Sequence, residues 1–219
     1  MKPFRECQLY AFVDTSQLHG RAPATVAREL CAGGADVIQL RAKHATADEV
    51  RSLAETLLPI TERAGVGVVI NDHPAVAREV GALGCHLGQE DFFSGGFTHA
   101  AQVTGCPPSL RLGLSTHSPE QARQALEAGP DYIAIGPVYA TATKPEARPV
   151  TLDYVRWAAA HVAIPWFAIG GITLANLDAV LAAGATRICV VSGILQAADI
   201  ARACQQFKER LRSAPRTEL

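Results

Sequence analysis

The sequence has little net charge, few aromatic residues and no long apolar run, and these absences exclude several classes of protein. Lysine and arginine number 20 against 21 aspartates and glutamates, so the formal net charge is −1. This balance gives no electrostatic basis for binding nucleic acid or an anionic membrane surface. No stretch approaches the roughly 18 apolar residues that cross a bilayer. We therefore expect neither nucleic acid nor a membrane as a partner.

Cysteine pairs at the spacing of metal or redox sites are also missing. The six cysteines lie at positions 7, 31, 85, 106, 189 and 204, and none forms a C-x-x-C pair. Cys85 and Cys189 lie inside apolar runs, which favours buried, reduced thiols that fill the core. The first apolar run, Leu9 to Val13, is too short for a signal-peptide core. These features predict a protein of the reducing cytoplasm.

The motifs of several enzyme classes are absent as well. The chain contains no H-E-x-x-H, no G-x-S-x-G, no Walker A sequence and no G-x-G-x-x-G. Metalloprotease, hydrolase-triad and P-loop functions therefore have no support. What the chain does have is 48% hydrophobic residues over 219 positions, enough to build one large core.

Short apolar runs alternate with longer segments rich in Ala, Leu, Glu and Arg, the pattern of buried strands followed by helices. The predicted strands are Leu9–Val13, Val37–Leu40, Val66–Ile70, Gly84–Leu87, Arg111–Leu114, Tyr132–Ile135, Trp166–Ile169 and Ile188–Val191. The predicted helices cover residues 23–33, 47–63, 74–82, 97–104, 118–128, 151–161, 174–183 and 197–212.

This alternation predicts a single (β/α)8 TIM barrel of the α/β class. Continuous apolar strands are typical of a parallel sheet buried on both faces, and eight such units are the number that closes a barrel. An open doubly wound sheet is the alternative. No linker divides the chain, so residues 1–219 are predicted to form one domain, with 213–219 as a frayed tail.

Polar residues follow most of the predicted strands, and barrel enzymes place their active sites at these carboxyl ends. The residues in question are Gln39, Arg41 and Lys43 after strand 2, Asn71 and Asp72 after strand 3, residues 88–91 after strand 4, residues 115–117 after strand 5, residues 136–144 after strand 6, Gly170 and Gly171 after strand 7, and Ser192 and Gly193 after strand 8. Each alone has a simpler explanation, such as a helix cap for Asn71 and Asp72. Their convergence on one rim predicts a site.

The residue types at this rim suit phosphate and metal. Arg41 offers a planar donor fork to phosphate oxygens, and Lys43 and Lys144 offer point charges. Backbone N–H groups at the glycines after strands 7 and 8 form the usual phosphate site of barrels. Asp72 and Asp91 are hard oxygen ligands, which suggests Mg²⁺ shared with a diphosphate.

The two histidines nearest this rim are harder to interpret from sequence. His86, inside strand 4, is expected to be a hydrogen-bonded structural residue. His117 is placed either at the rim or at a helix start. No side chain stands out as a catalytic base.

Seven segments together resemble the thiamin phosphate synthase family, over about residues 8 to 205. They are 38–43 (IQLRAK), 70–72 (IND), 86–91 (HLGQED), 115–117 (STH), 136–145 with the T-x-T-K motif, 168–172 (AIGGI) and 190–194 (VVSGI). The resemblance implies a (β/α)8 barrel that joins a hydroxymethylpyrimidine diphosphate to a hydroxyethylthiazole phosphate. The products are thiamin phosphate and pyrophosphate, and Mg²⁺ is the cofactor.

The resemblance also implies roles for single residues. The pyrimidine diphosphate would contact the segment Gln39, Leu40, Arg41, Ala42 and Lys43, together with Asn71, Ser115 and Lys144. The thiazole phosphate would contact Thr141, Ala142, Thr143, Gly171, Val191 and Ser192. Asp72 and Asp91 would hold Mg²⁺, and the residues expected to act in catalysis are Arg41, Lys43, Ser115 and Lys144.

Two departures and two alternatives accompany this resemblance. Pro149-Val150-Thr151 and Ala140 differ from the family's common residues, which leaves the geometry of the loop after strand 6 open. A thiazole tautomerase shares the barrel but lacks the Asp pair and the HLGQED run. A barrel that binds thiamin phosphates without turnover is the non-enzymatic alternative.

Overall fold

Eight parallel strands form a closed barrel in the computed structural model, which describes residues 2–105, 110–141 and 148–213. Each strand pairs with the next along the chain, and β8 pairs back to β1 through Leu9 with Ile188 and Tyr10 with Cys189. The strands are β1 Leu9–Asp14, β2 Val37–Arg41, β3 Gly67–Asn71, β4 Gly84–Gly88, β5 Arg111–Thr116, β6 Tyr132–Ile135, β7 Trp166–Ile169 and β8 Ile188–Cys189. The predicted TIM barrel is confirmed, and the open sheet is excluded.

Helices in the described ranges surround the barrel. They are α1 Pro23–Ala32, α2 Ala47–Arg63, α3 Pro74–Glu79, α4 Gln89–Ser94, α5 Ala101–Thr104, α6 Pro119–Glu127, α7 Thr151–His161, α8 Leu177–Ala182, α9 Ser192–Leu195 and α10 Ile200–Ser213. Proline begins α1, α3 and α6, where a missing N–H costs nothing and the fixed φ suits a helix start. Thr46 and Glu49 form a reciprocal capping box at the start of α2.

Two short helices were not predicted, and both begin where a strand ends. α4 starts directly after β4, where Glu90 and Asp91 lie in the first turn and favour the positive end of the helix dipole. α9 starts at Ser192, shortly after β8. The predicted strand to Val191 was two residues too long, because β8 ends at Cys189. The predicted helix at 97–104 is limited to α5. At the carboxyl end, Ser213 belongs to α10, and residues 214–219 of the predicted tail lie outside the described part.

Alternate strand residues divide the core into two layers. Tyr10, Phe12, Val37, Val69, Tyr132, Phe167 and Cys189 pack inside the barrel, whereas the residues between them pack against the helices. Phe4, on a 3₁₀ turn before β1, joins the inner layer with its ring centroid 4.5 Å from that of Tyr132. The amino end of the barrel is therefore plugged, and open space remains at the carboxyl end.

The predicted state of the cysteines is confirmed where the structure describes them. Cys7, Cys85, Cys189 and Cys204 are buried free thiols, Cys31 is a half-buried free thiol, and Cys106 lies outside the described residues. Burial raises the pKa of the Cys85 thiol to about 12. Within the described ranges no helix combines the length and apolarity needed to cross a membrane.

Candidate active site

A cavity opens at the carboxyl ends of the strands, where the sequence placed the rim. Its wall combines strand ends with the loops after β6, β7 and β8. It includes Tyr10, Phe12, Gln39, Arg41, Asn71, His86, Ser115, His117, Thr141, Ile169, Gly171, Val191 and Ser192. The apolar lining comes from the inner layer of the barrel, and the polar groups come from different strands.

The floor of the cavity is a continuous chain of hydrogen bonds. Gln39 Nε2 donates to Tyr10 Oη at 3.0 Å, and Tyr10 Oη lies 3.0 Å from Tyr132 Oη. Tyr132 Oη lies 3.1 Å from His86 Nδ1, and His86 Nε2 lies 2.7 Å from Ser115 Oγ. His86 is thus the hydrogen-bonded strand residue that the sequence predicted. Through the two tyrosines it also connects Ser115 on β5 with Gln39 on β2, both predicted substrate residues.

Arg41 is held at the cavity by a buried carboxylate. Its Nη1 lies 2.8 Å from Asp14 Oδ2, and the Asp14 side chain is only 1% exposed. Asp14 also accepts hydrogen bonds from Ser16 N and Ser16 Oγ. Asp14 is distant from Arg41 in sequence and adjacent to it across β1 and β2, so only the closed sheet brings the two charges together.

An acidic edge lies on the side formed by β3 and β4. Asp72 N donates to His86 O at 3.0 Å, and Asn71 Nδ2 donates to Asp72 Oδ2 at 2.6 Å. The Asp91 carboxylate folds back over Gly88, where an added Cβ would lie 2.7 Å from Asp91 Oδ2. Although Asp72 is exposed as a residue, neighbouring atoms displace part of the hydration of its carboxyl. This desolvation, and then the Asp91 carboxylate, raise the Asp72 pKa.

The alternative role of Asn71 and Asp72 as a helix cap is not supported. The residue before α3 is His73, and no side chain caps that helix. Asp72 instead takes a left-handed backbone conformation with φ of 63°. A non-glycine residue in that region is uncommon, and Asp and Asn are among those that tolerate it.

The acidic edge fits a magnesium ion. Neither Asp72 nor Asp91 forms an ion pair with another residue in the described ranges. Arg41 and His73 favour the charged form of Asp72, but burial and Asp91 outweigh them and the Asp72 pKa is raised. No group of three or more His, Cys, Asp or Glu gathers within those ranges. Mg²⁺ is commonly held by one or two carboxylates, with substrate phosphates and water completing its shell.

The opposite side of the cavity is built from backbone. Gly171 follows β7 with φ of 63°, and an added Cβ would lie 2.6 Å from Ala140 O. Gly193, after β8, packs closely on the loop after β7, because an added Cβ there would lie 2.8 Å from Ile172 O. Within the described part of the chain, the amides of Gly171 and Ser192 have no acceptor. This side can therefore donate hydrogen bonds to an anion.

The loop after β6 lies along the continuation of β7. Val138 N donates to Ile169 O at 2.8 Å, and Tyr139 N donates to Gly170 O at 3.0 Å. The peptide between Gly136 and Pro137 is cis. Thr141 reaches the cavity wall. Ala142, Thr143 and Lys144, which complete the predicted motif, lie outside the described residues.

His117 lies at the rim, and not at the helix cap. Ser118 caps α6 by accepting from Gln121 N at 3.2 Å. The His117 ring bonds through Nδ1 to Gly136 O and lines the cavity. Of the two positions that the sequence left open for His117, the structure shows the rim.

Of the predicted residues that the structure describes, most lie around the cavity or at its acidic edge, with three exceptions. Leu40 and Ala42 face the helices in the outer layer, because alternate strand residues point to opposite sides. Lys43 is exposed beyond the end of β2.

Sequence reasoning missed Asp14, Tyr10 and Tyr132. Asp14 had a signal, since a charged residue ends the first apolar run. The two tyrosines had none, because they lie within apolar strands.

Comparison with known proteins agrees with this geometry. The family described as thiamine monophosphate synthase matches residues 9–194. A thiamine-phosphate synthase from Thermus thermophilus is 47% identical over 189 residues, covering 82% of this chain and 84% of that protein. One from Halalkalibacterium halodurans is 39% identical over 204 residues, covering 93% of this chain and 94% of that protein.

A solved structure shows the same barrel. Thiamine phosphate pyrophosphorylase from Pyrococcus furiosus superposes with a TM-score of 0.85 at 30% identity. The match covers 97% of this chain and 99% of that one.

Proposed function

Because the chain belongs to the thiamine monophosphate synthase family and catalyses the condensation of a pyrimidine diphosphate with thiazole phosphate, we propose how its residues divide that work. The observation that carries the proposal is the arrangement of the cavity. An acidic edge lies on one side, backbone amides lie on the other, and a polar floor lies between them.

The diphosphate and Mg²⁺ are assigned to the acidic edge. Asp72 and Asp91 would hold the ion, which neutralises the diphosphate when bound. Arg41 lies beside this edge, kept in place by Asp14, and would donate its planar fork to diphosphate oxygens. Asn71 would supply a further donor and Lys144, from the sequence, further charge. Lys43 could add charge only from its exposed position beyond the end of β2.

The pyrimidine ring is assigned to the floor between Gln39 and Ser115. Both side chains line the cavity and have fixed hydrogen-bond partners. A ring held there lies between Arg41 and the backbone side. The methylene carbon that reacts can then face both the leaving diphosphate and the incoming thiazole.

The thiazole phosphate is assigned to the backbone side. Gly171, Val191 and Ser192 line the cavity there, and amides of this segment are available to phosphate oxygens. Thr141 faces the same region, and the sequence motif adds Thr143 from the same loop. Leu40 and Ala42 contribute no side chain to either substrate.

The reaction requires charge stabilisation more than proton removal. In the family mechanism the bond from the methylene carbon to the diphosphate oxygen breaks, and pyrophosphate leaves with the electron pair. The thiazole nitrogen then supplies its lone pair to that carbon. Arg41 and the lysines stabilise the leaving charge, and the backbone amides orient the nucleophile. No base is consumed, which agrees with the lack of an evident one.

Free thiols at every described cysteine support a reducing compartment, so we place the enzyme in the cytoplasm.

Turnover with both substrates tests the proposal directly. The enzyme should form thiamin phosphate and release pyrophosphate only when both substrates and Mg²⁺ are present. Product without added Mg²⁺, after treatment with a chelator, would contradict the assigned metal role.

Calorimetric titration separates this activity from a tautomerase. The synthase should bind pyrophosphate with Mg²⁺, and Lys144→Ala should weaken that binding by about 1.5–3 kcal/mol, as for a hydrogen bond to a charged group. Titration with Mg²⁺ alone is the control. Absence of binding at millimolar pyrophosphate would count against the synthase.

A further inference from the structure

The floor of the cavity contains two tyrosines whose function the reaction does not explain. Tyr10 and Tyr132 are fully buried inside the barrel. An apolar barrel interior would hold phenylalanine equally well, as it does at Phe12 and Phe167. The hydroxyls instead form the middle of the chain that joins Gln39 to Ser115.

The number of protons that each group in this hydrogen-bonded chain can donate follows from its chemistry. Burial raises the pKa of both tyrosines, so each carries one proton at any working pH. Gln39 Nε2 is a donor only, and it faces Tyr10 Oη. Tyr10 therefore accepts at one end of the chain and has one proton left to donate.

That proton sets the direction of every later bond. Among the described residues the contacts of Tyr10 Oη are Gln39 and Tyr132, so the Tyr10 proton goes to Tyr132. Tyr132 then donates to His86 Nδ1, which leaves the ring proton on Nε2. His86 Nε2 donates to Ser115 Oγ. The opposite direction requires the Gln39 amide to turn over, so that Oε1 accepts from Tyr10. With Nε2 facing Tyr10 Oη, the reversed chain leaves the Tyr10 proton buried without an acceptor, at a cost of about 1–3 kcal/mol.

We propose that Tyr10 and Tyr132 are positioning residues that fix the hydrogen-bonding polarity of the pyrimidine site. Through them His86 is held as the Nε2–H tautomer. Ser115, whose oxygen already accepts from His86, donates its proton into the cavity. Gln39, whose amide nitrogen is engaged, presents Oε1 as an acceptor.

This polarity matches an aminopyrimidine, and to that extent the inference rests on the function proposed above. An exocyclic amino group donates to Gln39 Oε1, and a ring nitrogen accepts from Ser115. A 4-oxo analogue places a carbonyl oxygen against the Gln39 oxygen, and one ring nitrogen becomes a donor. A site with fixed polar groups rejects such an analogue strongly, because its buried groups are left unpaired.

The tautomer itself can be measured without any substrate. Two-bond ¹H–¹⁵N spectra distinguish the Nε2–H from the Nδ1–H form of the imidazole. The His86→Gln protein, which lacks the signal, provides the assignment. We expect Nε2–H in the wild type and a mixture of tautomers in Tyr132→Phe. Tyr154→Phe is the matched control, since it removes a buried hydroxyl bonded to Thr116 and lies outside the chain.

Selectivity gives the second readout. The ratio of kcat/KM for the amino substrate over its 4-oxo analogue should fall at least tenfold in Tyr132→Phe and in Tyr10→Phe, and should not change in Tyr154→Phe. Tyr10→Phe should keep the His86 tautomer, because Tyr132 still donates to it, and should release Gln39.

An Nδ1–H tautomer of His86 in the wild type would overturn the proposal. Unchanged substrate selectivity in both Tyr10→Phe and Tyr132→Phe would also overturn it. If the tautomer is the expected one in each protein but the wild type makes no thiamin phosphate, the role of the two tyrosines is supported and the proposed function is refuted.

Discussion

Charged side chains at the mouth of the barrel occur in two unlike arrangements. Arg41 and Asp14 form a neutralised, buried pair. Asp72 and Asp91 are like charges at one edge. Desolvation raises the Asp72 pKa most, and the nearby Asp91 carboxylate raises it further. The Arg41–Asp14 pair holds the Arg41 guanidinium in place. The repulsion between Asp72 and Asp91 is unfavourable by itself, and a bound cation would relieve it.

Asp91→Asn tests the metal role of the acidic edge. The substitution keeps the shape of the side chain and removes one charge. Turnover should fall at least about tenfold, a loss of roughly 1.4 kcal/mol of transition-state stabilisation, measured as kcat against Mg²⁺ concentration. Asp153→Asn, an exposed aspartate on α7, is the control. Full activity of Asp91→Asn without added Mg²⁺ would refute the assignment.

Asp14→Ala tests the buried ion pair. Loss of the carboxylate leaves the Arg41 charge unpaired in a largely buried position, so the free energy of unfolding should fall by about 3–5 kcal/mol. Arg156→Ala breaks the exposed pair with Asp153 and should cost less than about 1 kcal/mol. Urea denaturation of both variants measures the difference. Equal losses of unfolding free energy in the two variants would mean that burial does not make the Asp14–Arg41 pair more important for stability than an exposed pair.

At the scale of elements, the loops after β6, β7 and β8 form the backbone side of the site by packing on one another. Glycine is required at position 171 for two reasons, its positive φ and the approach of Ala140 O. A side chain here would first meet the loop after β6, so any effect on the proposed phosphate site would be transmitted by that loop.

Gly171→Ala should raise the KM for thiazole phosphate more than the KM for the pyrimidine diphosphate. Gly65→Ala is the matched control, because Gly65 has φ of 69° and an added Cβ there meets nothing within 4 Å. The Gly65→Ala variant therefore isolates the cost of the left-handed backbone conformation, about 1–2 kcal/mol. Steady-state kinetics and thermal unfolding of both variants separate crowding from strain. Equal changes in the two KM values would place the thiazole phosphate elsewhere.

For the whole molecule, one carboxylate ties the two ends of the chain to the barrel. Asp36, which is buried before β2, accepts from Lys2 Nζ at 2.7 Å, from Lys208 on α10, and from the amides of Gln8 and Leu9. It lies next to the β1–β8 seam, where β8 has only two residues. Burial raises the Asp36 pKa, but the two lysines and two amides outweigh it, and the net pKa is lowered.

Acid should therefore weaken the fold through Asp36. A pKa lower in the folded state than in the unfolded state stabilises the fold at pH above the unfolded value, near 3.9 for aspartate. That stabilisation is lost as pH falls through the folded pKa. Urea denaturation of the wild type from pH 7 to pH 3 should show the loss below about pH 4.

Asp36→Asn supplies the comparison for this acid effect. The variant should be less stable at pH 7, because Lys208 is then buried without a partner, and it should lose less stability in acid. Parallel curves for the two proteins would assign the acid sensitivity to other carboxylates.

Much of this architecture follows from local sequence. Apolar runs of four or five residues, each followed by an amphipathic segment, were sufficient to predict all eight strands and the closed barrel. The positions of Gln39, Arg41, Asn71, Ser115, Gly171 and Ser192 around one cavity followed from the rule that strand ends share a rim. These predictions succeeded because they depend on hydrophobic periodicity and strand order, which are properties of neighbouring residues.

The partners of those residues were decided only by the tertiary structure. The Asp14–Arg41 pair, the chain from Gln39 to Ser115 and the contact of Gly171 with Ala140 each join segments of different strands or loops. The extent of β8 likewise depends on its pairing with β1 and β7, which are distant in sequence. Closure of the barrel sets these distances, and no local pattern encodes them, because each contact forms only when strands distant in sequence take their register.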